Sequence, residues 1–307
     1  MTSKKQQKSN NISMKQSNDK PEYSIIIPIY NEEAGLSHCL EELIEKLGAE
    51  PYELILVNDG STDGTAEIIR NFDKGNLIHL THEFNRGYGA AIKTGISHSS
   101  SEIIVITDAD GTYPNEEIPR LVNLLNDEHS MVVGSRTGDN VRIPFLRRLP
   151  KLILNKLADY LTRSKIPDLN SGLRVIRKEV VMKFYNILPD SFSLTTTITL
   201  AVLTNNMQII YTPINYYKRK GNSKIRPIND TLNFVQLIIR TVLYFEPLRI
   251  FIPFSAGLFI LGILVYLFGL FFLPYSLDIT SSIIISTAII VLTVGMLADL
   301  IDKKLSR

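Results

Sequence analysis

The amino-terminal half of the chain repeats one pattern, in which a short run of β-branched and other apolar residues is followed by a polar loop and then a helical segment. The apolar runs are typical of buried strands, and the helical segments carry their apolar residues on one stripe. Strands and helices that alternate in this way predict an α/β fold, with a mostly parallel sheet and helices on both faces. The runs are Tyr23–Ile29, Tyr52–Val57, Leu77–Leu80, Ile103–Ile106 and Met131–Val133.

The stretch Glu102–Pro114 contains the most specific chemistry of these repeats. Two carboxylates, Asp108 and Asp110, follow the fourth apolar run on either side of the small residue Ala109. Open α/β sheets bind ligands at the carboxyl ends of their strands, and two hard oxygen ligands suit Mg²⁺ or Mn²⁺ held against a diphosphate. The alternative for an isolated Asp-x-Asp triplet is a polar turn that only ends a strand.

Polar residues follow the other predicted strands as well. Asn31 and Glu32 come after the first run, Asp59 after the second and Arg86 after the third. Because the carboxyl ends of parallel strands meet at one edge of a sheet, we expect these side chains to lie on the same rim as Asp108. The sequence therefore predicts one binding site assembled from separated segments.

The sequence signals for a helix cap and for the role of the single cysteine are less specific than the polar residues described above. Ser61 or Thr62 is expected to cap the helix that begins near Ala66, because hydroxyl side chains accept hydrogen bonds from the first amides of a helix. Cys39 is the only cysteine, so the chain has no intrachain disulfide, in keeping with a reducing, cytosolic setting. Its helical context predicts core packing, and nothing near it indicates a nucleophile.

Five short motifs together resemble family-2 glycosyltransferases of the GT-A fold, over Tyr23–Ile228. Within that family they are most similar to the branch of dolichol-phosphate mannose synthase and the bacterial polyprenyl-phosphate glycosyltransferases. A Rossmann dehydrogenase is the competing α/β interpretation, but its G-x-G-x-x-G is absent after the first predicted strand. The motifs are PIYNEE (Pro28–Glu33), NDGSTDGT (Asn58–Thr65), NRGYGAAIKTG (Asn85–Gly95), DADGTYP (Asp108–Pro114) and NSGLRVIRK (Asn170–Lys178).

The resemblance implies roles for individual residues. Asp108 and Asp110 would hold the metal on the diphosphate, with Asp110 counted as catalytic, and Arg136 would neutralise phosphate. Asp168 would position the acceptor or act as a general base, although a lipid phosphate is already anionic and needs no base. A capping loop around Asp59 and a solvated helix face for Lys93 are the alternatives. The residues implied to line the nucleotide-sugar pocket are Pro28, Tyr30, Glu32, Asp59, Lys93, Asp108 and Ala109.

Basic segments follow the predicted sheet. Asp139–Lys165 has the pattern of a basic amphipathic helix, which indicates either a membrane surface or packing on the sheet. Lys218–Arg226 holds five cations in nine residues, and its position just before apolar sequence favours an anionic headgroup over a solvated charge run. We expect Arg219, Ser223 and Lys224 to bind a lipid phosphate.

The carboxyl-terminal part is apolar. Ile250–Leu273 and Ser281–Ile301 each have at least the ~20 residues needed to span a bilayer. The turn between them lacks Lys and Arg, whereas Arg249 precedes the pair and Lys303 follows it, so the positive-inside rule places both ends in the cytoplasm. A buried hairpin of a soluble protein is the alternative, and small residues such as Gly257 are compatible with a homo-oligomer.

We therefore expect a disordered basic tail (1–20) without a signal peptide, a GT-A catalytic domain (21–228), an interfacial amphipathic helix (229–249) and a transmembrane hairpin (250–307). The expected activity is inverting transfer of one sugar from a nucleotide-diphosphate sugar to a polyprenyl phosphate, with Mg²⁺ or Mn²⁺. Its partners would be the donor, the lipid acceptor and the membrane, without nucleic acid. Transfer to a hydroxyl lipid such as a diacylglycerol, or a non-catalytic nucleotide-binding scaffold, are the alternatives.

Overall fold

The computed structural model describes residues 21–74, 76–138, 156–160, 162–217, 227–272 and 277–305, with the backbone alone at 227–234 and 302–305. The chain forms a seven-stranded sheet with helices on both faces, followed by a pair of long helices. The strands are β1 (Tyr23–Ile29), β2 (Tyr52–Asn58), β3 (Leu77–Thr81), β4 (Ile103–Ile106), β5 (His129–Ser135), β6 (Arg174–Arg177) and β7 (Gln208–Pro213).

The helices connect these strands and extend beyond the last one. Residues 156–160 are also helical, and single 3₁₀ turns occur at Asn115–Glu117 and Tyr185–Ile187. The α-helices are α1 (Leu36–Leu47), α2 (Thr65–Asn71), α3 (Tyr88–His98), α4 (Ile118–Leu124), α5 (Lys178–Phe184), α6 (Leu194–Thr204), α7 (Pro227–Phe245), α8 (Leu248–Phe272) and α9 (Asp278–Leu305).

The sheet has the order β3-β2-β1-β4-β6-β5-β7, and β6 is antiparallel to both of its neighbours. The other pairings are parallel, so the predicted α/β class with a mostly parallel sheet is confirmed. Strand β6 is not among the strands predicted from the sequence. Its first residue, Arg174, lies opposite Ile106 of β4 and Val133 of β5. The reversed strand therefore brings the segment that precedes it to the carboxyl ends of β4 and β5.

The central strands are buried on both faces of the sheet, which explains their nearly continuous apolar sequences. Ile25 and Ile27 of β1 pack into one cluster with α1, and Ile26 packs into a second cluster with α3 on the opposite face. Burial of each such side chain contributes about 1.5–3 kcal/mol relative to exposure. The two clusters fix the sheet between its helices and hold the strand ends in place.

Two local predictions have clear outcomes. Cys39 is buried in the α1 core as expected, and burial raises the pKa of its thiol to about 11, which makes it a poor nucleophile. The prediction that Ser61 or Thr62 caps α2 is wrong. Asp63 accepts the Thr65 amide at 3.1 Å instead, because Ser61 and Thr62 bind Asn31 of the preceding loop.

Helices α8 and α9 form an antiparallel hairpin and are long and apolar enough to cross a membrane. Only 11% of the apolar window of each is buried, whereas a core helix of a soluble protein would be mostly buried. Ser255 donates to the carbonyl of Ala288 at 2.8 Å, and Gly262 and Gly295 allow close contact with the opposite helix. Small residues thus let the two helices approach closely, as is typical of helix pairs in membranes, where no hydrophobic driving force brings helices together.

The helix before the hairpin packs on the sheet domain. Ile238 and Val242 of α7 are buried against Leu200 of α6, and the rings of Phe245 and Phe184 are 5.8 Å apart in an edge-on contact. This packing links the apolar hairpin to the domain that carries the polar rim. The predicted amphipathic segment at 139–165 and the predicted tail at 1–20 lie largely or wholly outside the described residues.

Candidate active site

The loops after β1 and β2 are held together by hydrogen bonds between their backbones and side chains. The Asn31 amide donates to Ser61 Oγ at 3.0 Å, and the Glu32 amide donates to Thr65 Oγ1 at 2.9 Å. Asn31 adopts a left-handed conformation with φ of 54°, which asparagine tolerates better than most residues. The two loops therefore form one surface at the rim, as the motif positions predicted.

Asp59 joins this surface to the loop after β3. Its carboxylate accepts the backbone amides of Arg86 at 2.9 Å and Gly87 at 2.8 Å, and it also contacts His82. Asp59 is only 2% exposed, so its oxygens are used chiefly to shape the neighbouring loop. The alternative of a helix-capping loop describes Asp63, which accepts the Thr65 amide at the start of α2, whereas Asp59 binds the loop after β3. The pocket role of Asp59 stays a prediction.

Asp108 and Asp110 lie at the end of β4, both half-buried at the rim. Asp108 accepts the hydroxyl of Tyr88 at 2.9 Å, and Asp110 accepts the hydroxyl of Thr112 at 2.6 Å. Burial, and then the charge of Asp108, raise the pKa of Tyr88 well above its usual value, so the phenol remains a donor. These contacts fix the orientation of both carboxylates.

The donor set at the end of β4 fits a divalent cation that a diphosphate also binds. Within the described part of the chain, no group of three or more His, Cys, Asp and Glu side chains is placed to hold a metal. Asp108 and Asp110 can supply two oxygen ligands, and Mg²⁺ or Mn²⁺ commonly takes the rest from phosphate and water. Gly172 borders this space, since a Cβ there would lie 2.7 Å from Oδ2 of Asp108.

Arg136 follows β5 and forms a two-pronged ion pair with Asp168. Its Nε donates to Oδ2 at 2.8 Å and its Nη2 donates to Oδ1 at 2.9 Å, while its backbone amide donates to Oδ2 at 3.0 Å. Arg136 also donates to Asn170 and lies 5.3 Å from the ring centre of Tyr216. Asp168 is fully buried, so this pair fixes the guanidinium at the rim.

The turn before β6 is locked by buried contacts that sequence analysis missed. The Gly172 amide donates to the hydroxyl of Tyr113 at 2.6 Å, and Ser171 donates to the carbonyl of Gly134 at 2.5 Å. Arg174 is fully buried and donates to the carbonyls of Ser171 and Thr195. The NSGLR motif thus brings Gly172 to Asp108. A glycine in this motif indicates a close approach, but the sequence alone does not show which residue it approaches.

Lys93 lies on α3, and its ammonium binds the segment before α6. Its Nζ donates to Asp190 at 2.9 Å and to the carbonyl of Leu188. The same segment carries Phe192, whose ring is 5.0 Å from that of Tyr88. Lys93 therefore fastens this segment beside Tyr88, and its proximity to a nucleotide stays a prediction.

The remaining predicted site residues differ in placement. Tyr30 and Glu32 are half-buried in the loop after β1, whereas Pro28 is buried within β1 and Ala109 is buried beside the two aspartates. Their roles in a nucleotide-sugar pocket stay predictions. The residues predicted to bind a lipid phosphate, Arg219, Ser223 and Lys224, lie outside the described residues.

Replacement of Gly172 by alanine is expected to lower kcat/KM by about 10- to 100-fold, because a Cβ would displace the Asp108 carboxylate and small misplacements of catalytic groups are costly. Gly35→Ala is the matched control, since a Cβ there meets nothing within 4 Å. Steady-state kinetics and thermal melts of both variants check this. A Gly172→Ala enzyme with normal kinetics would contradict the close approach.

Comparison with known proteins assigns the two parts of the chain separately. Residues 24–184, more than half of the chain, match the family model for glycosyl transferase family 2. Residues 246–303 match the model for the GtrB C-terminal hairpin. The first match covers the first six strands and the rim, and the second covers α8 and nearly all of α9.

Two curated relatives match across most of their lengths. The dolichyl-phosphate hexose transferase of Haloferax volcanii is 27% identical over 205 residues, which cover 66% of this chain and 86% of the relative. The undecaprenyl-phosphate 4-deoxy-4-formamido-L-arabinose transferase of Edwardsiella ictaluri is 30% identical over 246 residues, which cover 78% of this chain and 73% of the relative.

A solved structure supports the fold. Glucosyl-3-phosphoglycerate synthase from Mycobacterium tuberculosis, crystallised with Mn²⁺, UDP and phosphoglyceric acid, superposes with a TM-score of 0.56. It is 18% identical and covers 72% of this chain and 78% of its own, so this likeness concerns the fold alone. The family match and the exposed apolar hairpin lead to one assignment: the chain is a membrane-anchored glycosyltransferase that belongs to glycosyl transferase family 2.

Proposed function

We propose that this enzyme transfers one sugar from a nucleotide-diphosphate sugar to a polyprenyl phosphate. The observation that carries the proposal is the ion pair between Arg136 and the buried Asp168, at the same end of the sheet as the carboxylates of Asp108 and Asp110. The names of the two curated relatives given above pair a sugar transferase with dolichyl phosphate and with undecaprenyl phosphate, which supports the same acceptor class.

The donor would bind along the rim from the loop after β1 to the end of β4. Tyr30, Glu32 and the loop shaped by Asp59 would hold the nucleoside, which places the diphosphate beside Asp108 and Asp110. A divalent cation bound by these two carboxylates would neutralise charge on the departing nucleoside diphosphate. Tyr88 and Thr112 keep the carboxylates oriented, so the donor meets a preorganised site.

The state of Asp168 favours a lipid phosphate over a hydroxyl acceptor. A carboxylate that accepts a two-pronged guanidinium is stabilised in its charged form and is a weak proton acceptor. A hydroxyl acceptor needs a base in the transition state, whereas a phosphate oxygen is already anionic. Arg136 would orient that phosphate for in-line attack on the anomeric carbon with inversion, and Asp168 would position Arg136.

The hairpin would bring the enzyme to its acceptor. With the sheet domain packed on α7 and the hairpin in the bilayer, a lipid phosphate at the surface would reach the rim, and part of the rate would come from proximity. We place the catalytic domain and both ends of the chain on the cytoplasmic side, where the flanking cations favour them. Arg219, Ser223 and Lys224 would add positive charge for the headgroup.

A transfer assay with the full-length enzyme in membranes tests the proposal. Radiolabelled UDP- and GDP-sugars are supplied with Mn²⁺ or Mg²⁺, and label is followed into extractable lipid, with Asp108→Asn as the inactive control. We expect label that mild acid releases, as for a sugar on a polyprenyl phosphate. Acid-stable lipid label would instead indicate a hydroxyl acceptor, and nucleotide binding without any transfer would indicate a scaffold.

A further inference from the structure

A buried histidine lies behind the donor rim and is absent from the motifs that carry the family resemblance. His82 follows β3, and its side chain is 5% exposed. Its Nδ1 is 2.7 Å from Oδ1 of Asp59, and its Nε2 is 2.9 Å from Oγ1 of Thr94 on α3. The imidazole thus connects the ends of β2 and β3 with α3.

Both nitrogens of this imidazole have polar partners. The Asp59 carboxylate can only accept when ionised, so Nδ1 carries a proton and donates to it. The hydroxyl of Thr94 lies within hydrogen-bond distance of Nε2, so both ring nitrogens have a polar partner. The resulting series of hydrogen bonds runs from Thr94 through His82 to Asp59.

This series of hydrogen bonds ends at the loop on the active-site rim. Asp59 accepts the backbone amides of Arg86 and Gly87, and Tyr88, the next residue, donates to Asp108. The side chain of Asp59 is 3% exposed, so water does not readily replace a lost partner. The orientation of Asp59 therefore decides the shape of the loop that connects the predicted nucleoside pocket with the metal carboxylates.

We propose that His82 is a positioning residue of the donor site, which holds Asp59 so that the Arg86–Gly87 backbone is ordered before the nucleotide binds. The inference rests on the proposed function insofar as the ligand is a nucleoside diphosphate. Preorganisation of a loop strengthens binding because the ordering cost is met before the ligand arrives. His82 acts through Asp59 and does not itself touch the donor.

A pair of substitutions separates positioning from packing. His82→Asn keeps a nitrogen donor where Nδ1 lies but removes half of the ring, whereas His82→Phe keeps the ring and removes both nitrogens. If the hydrogen bond to Asp59 matters, His82→Phe is the damaging change and His82→Asn is tolerated. If His82 only fills space, the order is reversed, since a cavity costs more than an apolar ring.

The experiment measures binding of UDP and GDP to the full-length protein in detergent with Mn²⁺, together with hydrogen exchange of the Arg86 and Gly87 amides. We expect His82→Phe to lower the affinity for the nucleotide that the wild type binds by about tenfold or more, and to speed hydrogen exchange of both amides. His82→Asn should remain within about threefold of the wild type, and its two amides should stay protected. His79→Asn, at an exposed position of β3, is the matched control.

The outcomes distinguish this inference from the proposed function. A wild type that binds neither nucleotide would overturn the donor class, while amide exchange would still report on the loop. Unchanged binding and exchange in His82→Phe, or an equal loss in His82→Asn, would overturn the positioning role. If His82→Phe does not fold, His82→Gln replaces it, because its longer amide reaches toward Thr94 and leaves Asp59 without its donor.

Discussion

Replacement of Asp108 by asparagine is expected to reduce kcat/KM by about 1,000-fold, because the variant loses a charged ligand for the cation that neutralises the departing diphosphate. Asparagine preserves the size of the side chain and can still accept the Tyr88 hydroxyl bond, so the loss reports on charge rather than on packing. Asp110→Asn should have a similar effect. The measurement is transfer into lipid at several concentrations of Mn²⁺ and Mg²⁺.

A distant carboxylate provides the control for this prediction. Asp127 is exposed, pairs with Arg177 and lies at the opposite end of β5 from Arg136, so Asp127→Asn should retain normal transfer. High Mn²⁺ should partly restore Asp108→Asn if the defect is weak metal binding. Near-normal kcat/KM in Asp108→Asn at low Mn²⁺ would disprove the metal role.

Substitution of either member of the Arg136–Asp168 pair is expected to impair the acceptor side of the reaction. Arg136→Lys should lower kcat/KM for the acceptor by about 100-fold, because lysine replaces the planar, two-pronged donor with a point charge. Asp168→Asn should lower it by about 10- to 100-fold, since the guanidinium is then held less firmly. The KM for the nucleotide sugar should change little in both.

The double variant tests whether the two residues act as one unit. If Asp168 works through Arg136, the double variant should be no worse than Arg136→Lys alone, which is strong non-additivity. The pH profile gives a second readout: loss of a general base would remove the acidic limb of the profile, whereas loss of positioning would lower the whole profile. Thermal melts of each variant show whether loss of the ion pair, which leaves a charge without its partner, destabilises the fold.

An additive double variant whose acidic limb disappears with Asp168→Asn would support a base and a hydroxyl acceptor. The ionic contacts argue otherwise, because Arg136 supplies three donors to the Asp168 carboxylate, counting its backbone amide. Sequence reasoning left this choice open. The geometry of the pair is the reason to favour positioning.

The sequence by itself determined the fold class, the family and the rim. Apolar runs such as Ile103–Ile106 can only be satisfied in a sheet covered on both faces, and the polar residues after them must then meet at its carboxyl edge. The long apolar carboxyl-terminal segments could likewise be recognised, because their length and composition alone suffice for a membrane hairpin. Local patterns carry this information.

Only the tertiary structure decided which groups meet. The ion pair of Arg136 with Asp168, the contact of Gly172 with Asp108 and the hydrogen bond of His82 with Asp59 join residues that are 23 to 64 positions apart. These separations follow no periodic pattern. The antiparallel β6 creates the first two, since it reverses the direction in which its preceding turn approaches the rim. A local pattern cannot encode such pairings, because they depend on the register and direction of strands that are distant in sequence.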